Sequence, residues 1–411
     1  LSTNPLERVG DLFRTESTRA IAAIASRLGD VDRAQDAVAD AYALALERWP
    51  RDGFPRDPAA WIVLTARNRA IDRIRRERVG TEKLDRLARL DATESTDPSD
   101  EDDLGDDRLA LLFACIHPAL DRDAQIALTL RTLGGLTTDE IADAFFVPRA
   151  TMAQRMVRAK NKIRDARIPI RVPDRDALGE RLLAVTTVLY LIFNAGYAGS
   201  RAANFDLCNR ALEIAILLAQ LLPDDPDTHA LEALMRFHHA RRATRVDGDG
   251  TPILLAEQDR TRWDATEIRA GSLALDRARA LGSTSLVHEA TIAGLHARAP
   301  SFASTAWNAI VDEYDALLAD YDAPVVRLNR SVALAHAGRV DDAQFALERL
   351  ADDPTMRGNR YYFVACAYVF RRRGRTADAT RAYRAALAAT ESPGDRRTLE
   401  RYLRELGSTA D

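Results

Sequence analysis

The stretch that decides the fold is Trp61–Arg78, WIVLTARNRAIDRIRRER. Wound at 3.6 residues per turn, it places Val63, Leu64, Ala70, Ile71 and Ile74 on one side. Thr65, Arg69, Arg73 and Arg76 fall on the other, with Asn68 and Asp72 one turn apart at its edge. One face is fit to bury. The other carries a row of guanidiniums, whose planar forks suit phosphate oxygens and base edges. A solvated basic face is the plain alternative for such a helix, and only the surrounding chain decides between them.

That chain is uniform in kind. At 411 residues it exceeds what one core holds, so two or three domains are expected. Hydrophobic residues make up 46% and aromatics only 6%, and long runs lack both Gly and Pro. This predicts an all-α fold with no strand pattern. Basic charge is nearly all Arg, with Lys at positions 83, 160 and 162. The net charge of −4 conceals basic helices set against an acidic run. No secretory leader pattern and no apolar run of about 18 residues is read, which predicts a soluble, cytoplasmic chain with no membrane segment. Cys115, Cys208 and Cys366 are too scattered for a disulfide frame.

Upstream of the basic stretch, one helix is predicted over Leu6–Leu28 and a second over Asp32–Trp49, capped by Asp30 or Asp32. Ala34, Val38, Ala41 and Ala45 form the second helix's small apolar stripe. Asp32, Gln35, Asp36 and Asp40 crowd its first turns, where the helix dipole favours acids. A Pro-, Gly- and Arg-rich loop, Pro50–Pro58, leads into the basic helix. Downstream, Asp91–Asp107 holds nine acidic residues and no basic one, a composition that reads as a flexible linker.

A second basic block follows. LTTDEIADAFFVPRATMAQRMVRAKNKIR, Leu136–Arg164, has the cadence of a helix-turn-helix. Thr137 or Thr138 caps its first helix with Glu140 close behind, and Phe146, Val147 and Pro148 make the turn. Met152, Met156, Ala159 and Ile163 line one side of the second helix, while Thr151, Arg155, Arg158 and Lys162 share the outer one. An apolar seam backing a basic, hydrogen-bonding ridge is what a helix in the major groove requires.

The pattern of Pro58, Trp61 and Ala66–Arg75 resembles the promoter-melting helix of bacterial sigma factors of the sigma-70 family, in particular the small extracytoplasmic-function (ECF) group. The resemblance implies minus-10 contacts and melting by Trp61, Asn68, Arg69, Arg73 and Arg76, with the preceding loop capturing an unstacked base. Asp32–Tyr42, DRAQDAVADAY, is similar to the segment that docks on the β′ clamp of core RNA polymerase, which assigns Asp36 and Asp40 to that contact. Ala39 stands where the family usually has Gln. The second block resembles sigma region 4, which reads the minus-35 element and touches the β flap. The resemblance assigns Arg149, Thr151, Gln154, Arg155, Arg158 and Lys162 to promoter DNA, with Phe146 replacing a common Gly and Ala153 a common basic residue. The implied architecture is a region-2 helical bundle over 1–90, an acidic linker over 91–107 and a region-4 helix-turn-helix domain over 108–167. In the family reading the acidic linker also lies in the channel that nucleic acid later occupies.

A short linker at 168–175, marked by Pro169 and Pro173, then leads to helix pairs over 176–411. Gly338-Arg339, Asp342-Ala343 and Ala346 recur 36 positions later as Gly374-Arg375, Asp378-Ala379 and Ala382. That period and those small residues predict tetratricopeptide-like (TPR-like) hairpins, with Leu207–Leu222 and Asp227–Arg242 as degenerate members. LYLIFNAGY (Leu189–Tyr197) and EQDRTRW (Glu257–Trp263) resemble the C-terminal extension of one ECF subgroup, with Ala195 where that subgroup carries Glu. His238-His239 and the Cys115/His117 pair lack metal-ligand spacing, Asp247–Gly250 reads as a tight turn, and no phosphate loop or nucleophile motif occurs. No catalytic residue, metal or cofactor is therefore expected. The expectation is an alternative sigma factor whose repeat domain docks intramolecularly or binds a protein partner, and regulates activity. A helix-turn-helix regulator with a ligand- or partner-sensing TPR domain, and a repeat adaptor that binds RNA, are the other readings.

Overall fold

The computed structural model describes residues 5–77, 103–145, 147–198, 202–247, 251, 253–390 and 392–408, and every regular element among them is a helix. The chain divides into two compact units, Leu1–Leu221 and Leu222–Asp411.

In the first unit α1 (Pro5–Leu28), α2 (Val31–Asp52) and α3 (Pro58–Glu77) pack on one another as a three-helix bundle. Asp30 is the cap of α2, its carboxylate accepting from the Arg33 amide at 3.1 Å. Ala34, Val38, Ala41 and Ala45 are buried, so small side chains let the helices approach closely. On α3 the buried stripe is Ile62, Ala66, Ala70 and Ile74, and Leu64, expected on that side, is 56% exposed. The seam follows a strict i, i+4 row that begins at Ile62, and Leu64 lies off it beside Asn68.

α4 (Asp103–Cys115) begins inside the acidic run, so residues 103–107 are helical; positions 91–102 lie outside the described residues. α5 (Arg122–Thr132), α6 (Thr138–Ala144) and α7 (Arg149–Asp165) follow, with α5 and α6 both packed on α7. Of the two candidate caps, Thr137 is the one used: it and Glu140 form a reciprocal capping box. Hydrogen bonds from the Thr137 backbone and hydroxyl, in that order, hold the Glu140 carboxyl below its usual range. Phe146 of the expected turn lies outside the described residues.

The expected linker is anchored by buried Ile168 and Ile170. After it, α8 (Arg175–Ala198) and α9 (Ala202–Leu221) form a hairpin that packs against α4, α5 and α6 and belongs to the first unit. The compact division therefore falls at Leu221/Leu222, beyond the border read at 175/176. Within α8, Ala177–Ala195 is long and apolar enough to cross a membrane by length and composition, a run the sequence reading did not count. It carries Glu180 and Arg181. Its Leu182, Val185, Val188, Leu189, Ile192 and Phe193 are buried within this unit.

The second unit is a row of helices, each packed on the next: α10 (Pro226–Ala240), α11 (Ala265–Leu281), α12 (Ser285–Arg298), α13 (Trp307–Asp320), α14 (Pro324–His336), α15 (Val340–Leu350), α16 (Arg360–Arg372), α17 (Thr376–Ala388) and α18 (Pro393–Ser408). Phe237 of α10 is fully buried; a Cβ at Gly271 of α11 or Gly294 of α12 would come within 3.0 Å of its ring. Only glycine admits so close an approach from both sides without displacing the ring. The two sequence repeats fold alike. Gly338 (φ 84°) and Gly374 (φ 70°) turn the chain in the left-handed region, and Arg339 and Arg375 each reach an Asp three residues on. Of the expected Asp247–Gly250 turn, 248–250 lie outside the described residues.

Candidate nucleic-acid interface

Two helix faces of the first unit meet the requirements for binding a polyanion. On α3, burial of Ile62, Ala66, Ala70 and Ile74 turns Asn68, Arg69, Asp72, Arg73 and Arg75 to solvent, with Leu64 exposed among them. Arg76 continues the helix; its side chain lies outside the described residues. Arg73 donates to Asp36 of α2 at 3.1 Å, so one residue assigned to DNA and one assigned to polymerase hold each other at the surface. Asp40, one turn further along α2, is exposed.

Trp61 has a bracing position. Its ring meets Trp49 edge-on at 5.2 Å, and Trp49 packs on Phe54 at 4.9 Å, under the Arg8 guanidinium at 3.9 Å. The expected Pro50–Pro58 loop is shorter, since Pro50–Asp52 belong to α2 and Pro58 begins α3, and this cluster fixes the remaining loop, 53–57, against the start of α3. Asp57 ends the loop by accepting from the Ala60 amide at 3.0 Å, which caps the helix.

On α7, Met152, Met156, Ala159 and Ile163 are buried as the seam requires, and Arg149, Thr151, Gln154, Arg158 and Lys162 are exposed. Arg155, Arg158 and Lys162 line an open groove of about 460 Å³ together with Asp121 and Asp123 of the α5 start. Arg155 pairs with Asp123 at 2.8 Å, and Arg149 with Asp139 at 2.6 Å. The ridge is thus basic, with carboxylates seated among its cationic groups. Val157 stands among these residues, 56% exposed.

Sequence reasoning missed two participants. Asp123 was not singled out because its partner lies 32 residues away. Lys160 was noted only as a rare lysine, yet its ammonium reaches Asp32 at 2.6 Å and Gln35 at 2.7 Å on α2. A lysine kept in an arginine-rich chain was the available signal.

The other candidates are structural. Burial pushes the Cys115 thiol up to about 12, which removes it as a nucleophile. The His117 ring accepts from the Ala119 amide at 3.1 Å. His238 is held neutral, first by burial and then by Arg241. Among the described residues no group of three or more His, Cys, Asp or Glu is placed to hold a metal.

Comparison with known sequences adds three matches. Sigma-70 region 2 matches residues 12–79, Sigma-70 region 4 matches 110–163, and a family of unknown function (DUF6596) matches 181–279. An uncharacterised protein of Rhizobium meliloti is 37% identical over 409 residues, which is 96% of this chain and 95% of that protein. The ECF RNA polymerase sigma factor SigK of Mycobacterium ulcerans is 25% identical over 152 residues, 36% of this chain and 79% of SigK. No solved structure matches the chain.

Proposed function

We propose that the chain, which over its length belongs to the family of the Rhizobium meliloti protein and carries the Sigma-70 region 2 and region 4 matches, is an alternative sigma factor of the ECF type whose helical C-terminal extension sets its activity. Core RNA polymerase and promoter DNA are its partners, and its role is that of a cytoplasmic, non-enzymatic initiation factor.

The observation that carries this reading is the pair of helices α3 and α7. Each backs an exposed basic row with a buried seam, and the assigned residues of each fall inside a separate sigma-70 match. In the proposal Asn68, Arg69, Arg73 and Arg76 open and hold the minus-10 element beside the loop braced by Trp61. Arg149, Thr151, Gln154, Arg155, Arg158 and Lys162 read the minus-35 element from the major groove. Asp36 and Asp40 meet the β′ clamp, and region 4 the β flap. The existing pairs Arg73–Asp36 and Arg155–Asp123 do not obstruct this. Exposed pairs of this kind contribute about 0–1 kcal/mol, so a phosphate backbone displaces them readily.

The packing of the α8–α9 hairpin on α4–α6, with Arg181 donating to the Phe113 carbonyl, supports docking of the stretch 176–221 on the region-4 block, and in the proposal control in cis by residues 176–411 acts through it. The matched turns at Gly338 and Gly374 support a TPR-like reading of the later helices. The test is promoter-dependent run-off transcription with purified core polymerase. The chain should direct specific transcripts, and Asp36→Arg/Asp40→Arg should lose them and co-purification with polymerase while keeping its helical circular dichroism. Binding to upstream duplex without polymerase, and no transcripts, would make it a helix-turn-helix regulator instead.

A further inference from the structure

In the second unit, three consecutive helices border an open groove of about 460 Å³ that the sigma reading does not use. α15 and its cap line it with Arg339, Asp342, Phe345 and Arg349, α14 with Arg327 and Arg330, and Leu318 of α13 adds an apolar wall. The α15 sequence dictates this face. Ala343, Leu347 and Leu350, at i, i+4 and i+7, are buried in the unit's core, which turns Asp342, Phe345 and Arg349 to solvent.

The groove's cations are available to a ligand in different degrees. Arg339 is tied into its turn by Asp342 at 2.8 Å. Arg327 donates to Asp322 at 2.6 Å and Arg330 to Asp315, and both carboxylates lie outside the groove lining. These are pairs at the surface, held weakly enough for a second anion to replace the aspartate. Arg349 has no carboxylate partner among the described residues. Its guanidinium stands 5.9 Å from the centre of the Phe345 ring, and that ring is 62% exposed. A solvated basic face has no use for an exposed phenylalanine backed by a leucine wall.

The spacing selects the occupant. Arg339 and Arg349 lie ten residues apart, which is ~15 Å along a helix rising ~1.5 Å per residue. A single phosphate or carboxylate cannot reach both ends. An extended peptide covers that length in about four or five residues at ~3.3 Å each. Asp342, between the two arginines, repels a phosphate backbone and can accept a peptide N–H.

We propose that the α13–α15 groove binds an extended acidic protein segment with an apolar side chain among its carboxylates. Arg327, Arg330 and Arg349 take the carboxylates, and Phe345 with Leu318 takes the apolar group. This role is independent of the sigma reading, because binding alone reports it. The probe is a fluorescein-labelled heptapeptide, rich in glutamate with one central phenylalanine, titrated with the full chain by fluorescence anisotropy. Arg349→Glu should weaken binding roughly tenfold and Phe345→Ser about fivefold, both at exposed positions where the fold tolerates the change. Asp322→Asn should tighten binding roughly threefold by releasing Arg327, a gain that a purely structural pair does not give. The same peptide with glutamine for glutamate should not bind. Acidic-peptide affinity weaker than about 1 mM, or equal binding of the glutamine peptide, overturns the proposal. So does an affinity unchanged by all three substitutions. A single-stranded oligonucleotide that binds more tightly than the peptide, and loses affinity in Arg349→Glu, assigns the groove to nucleic acid instead. Displacement of the peptide by equimolar inorganic phosphate reduces it to a point-anion site.

Discussion

In the first unit the guanidinium of Arg155 crosses to Asp123, 32 residues away, whereas in the second Arg375 turns back only three residues to Asp378. Both are Arg–Asp pairs, and they do different things. The Arg375 pair, like its repeat Arg339–Asp342, closes the turn after a left-handed glycine, and the Asp378 side chain is only 18% exposed. The Arg155 pair joins two elements at an open groove, and the Asp123 side chain is 56% exposed. Lys160–Asp32 and Arg73–Asp36 belong with it, each joining separate helices. The Arg339 and Arg375 pairs set the shape of a turn, although the same unit also has pairs between separate elements, such as Arg373–Asp341 and Arg401–Glu257. The Arg155 and Arg73 pairs are surface pairs between helices, and in the proposed reading a phosphate or a polymerase surface replaces their partners.

If the second unit is organised by fixed packing, the largest effect follows from removing its central aromatic. Phe237 fills the space between Gly271 and Gly294, and Phe237→Ala should cost about 3–5 kcal/mol. Hydrogen exchange should show protection lost across α10–α12 and retained in α5–α7. Loss of protection in both units would break the comparison.

Acid sharpens it next. His296 is pushed down to about 4 by burial and then by Arg241, Arg260 and His336; His336 is pushed down to about 4 by burial and then by Arg372. His336 stacks on Trp307 at 4.4 Å and accepts from, or donates to, the Tyr368 hydroxyl at 2.9 Å. The fold therefore favours the neutral rings. Between pH 6.5 and 4 the unfolded chain binds protons that the folded chain refuses, so stability present above about 6.5 is lost as pH falls through this window. Thermal melts of the full chain should show the second unit's transition falling steeply there. His336→Gln should flatten that slope, and a slope unchanged by the substitution would remove the assignment.

The sequence made the helices legible because caps, seams and glycine turns act over one to four residues. Thr137 with Glu140, Met152 with Met156, and Gly338 with Arg339 each declare themselves locally. The α3 seam was read less well. Leu64 looks as apolar as Ile62, and only the approach of α1 and α2 selects the row containing Ala66 and Ala70. The division at Leu221/Leu222 was hidden for the same reason, since nothing in Pro169 or Pro173 tells that α8 and α9 fold back on α4–α6. Site residues were visible as types, and their partners were not. Asp123 and Asp32 pair across 32 and 128 residues, and a lone aspartate gives no sign of what it will face.

The smallest effect tests the exchangeable class directly. Arg155→Ala should weaken binding to the upstream element by about 1–3 kcal/mol, as loss of a phosphate or base contact does. Asp123→Asn should act in the other direction by under about 1 kcal/mol, because it frees Arg155 from an exposed pair and removes a carboxylate from the groove. These two contributions are separable. If Asp123 acts by holding Arg155, Asp123→Asn has no effect in the Arg155→Ala background, and the double-mutant cycle returns a coupling equal to the whole single-mutant gain. If it acts by repelling phosphates near Arg158 and Lys162, the gain survives in that background and shrinks as salt is raised. Fluorescence anisotropy of holoenzyme on upstream duplex, at two salt concentrations, measures both. Persistence of the full gain without Arg155 would move Asp123 out of the exchangeable class and make it a fixed part of the groove's field.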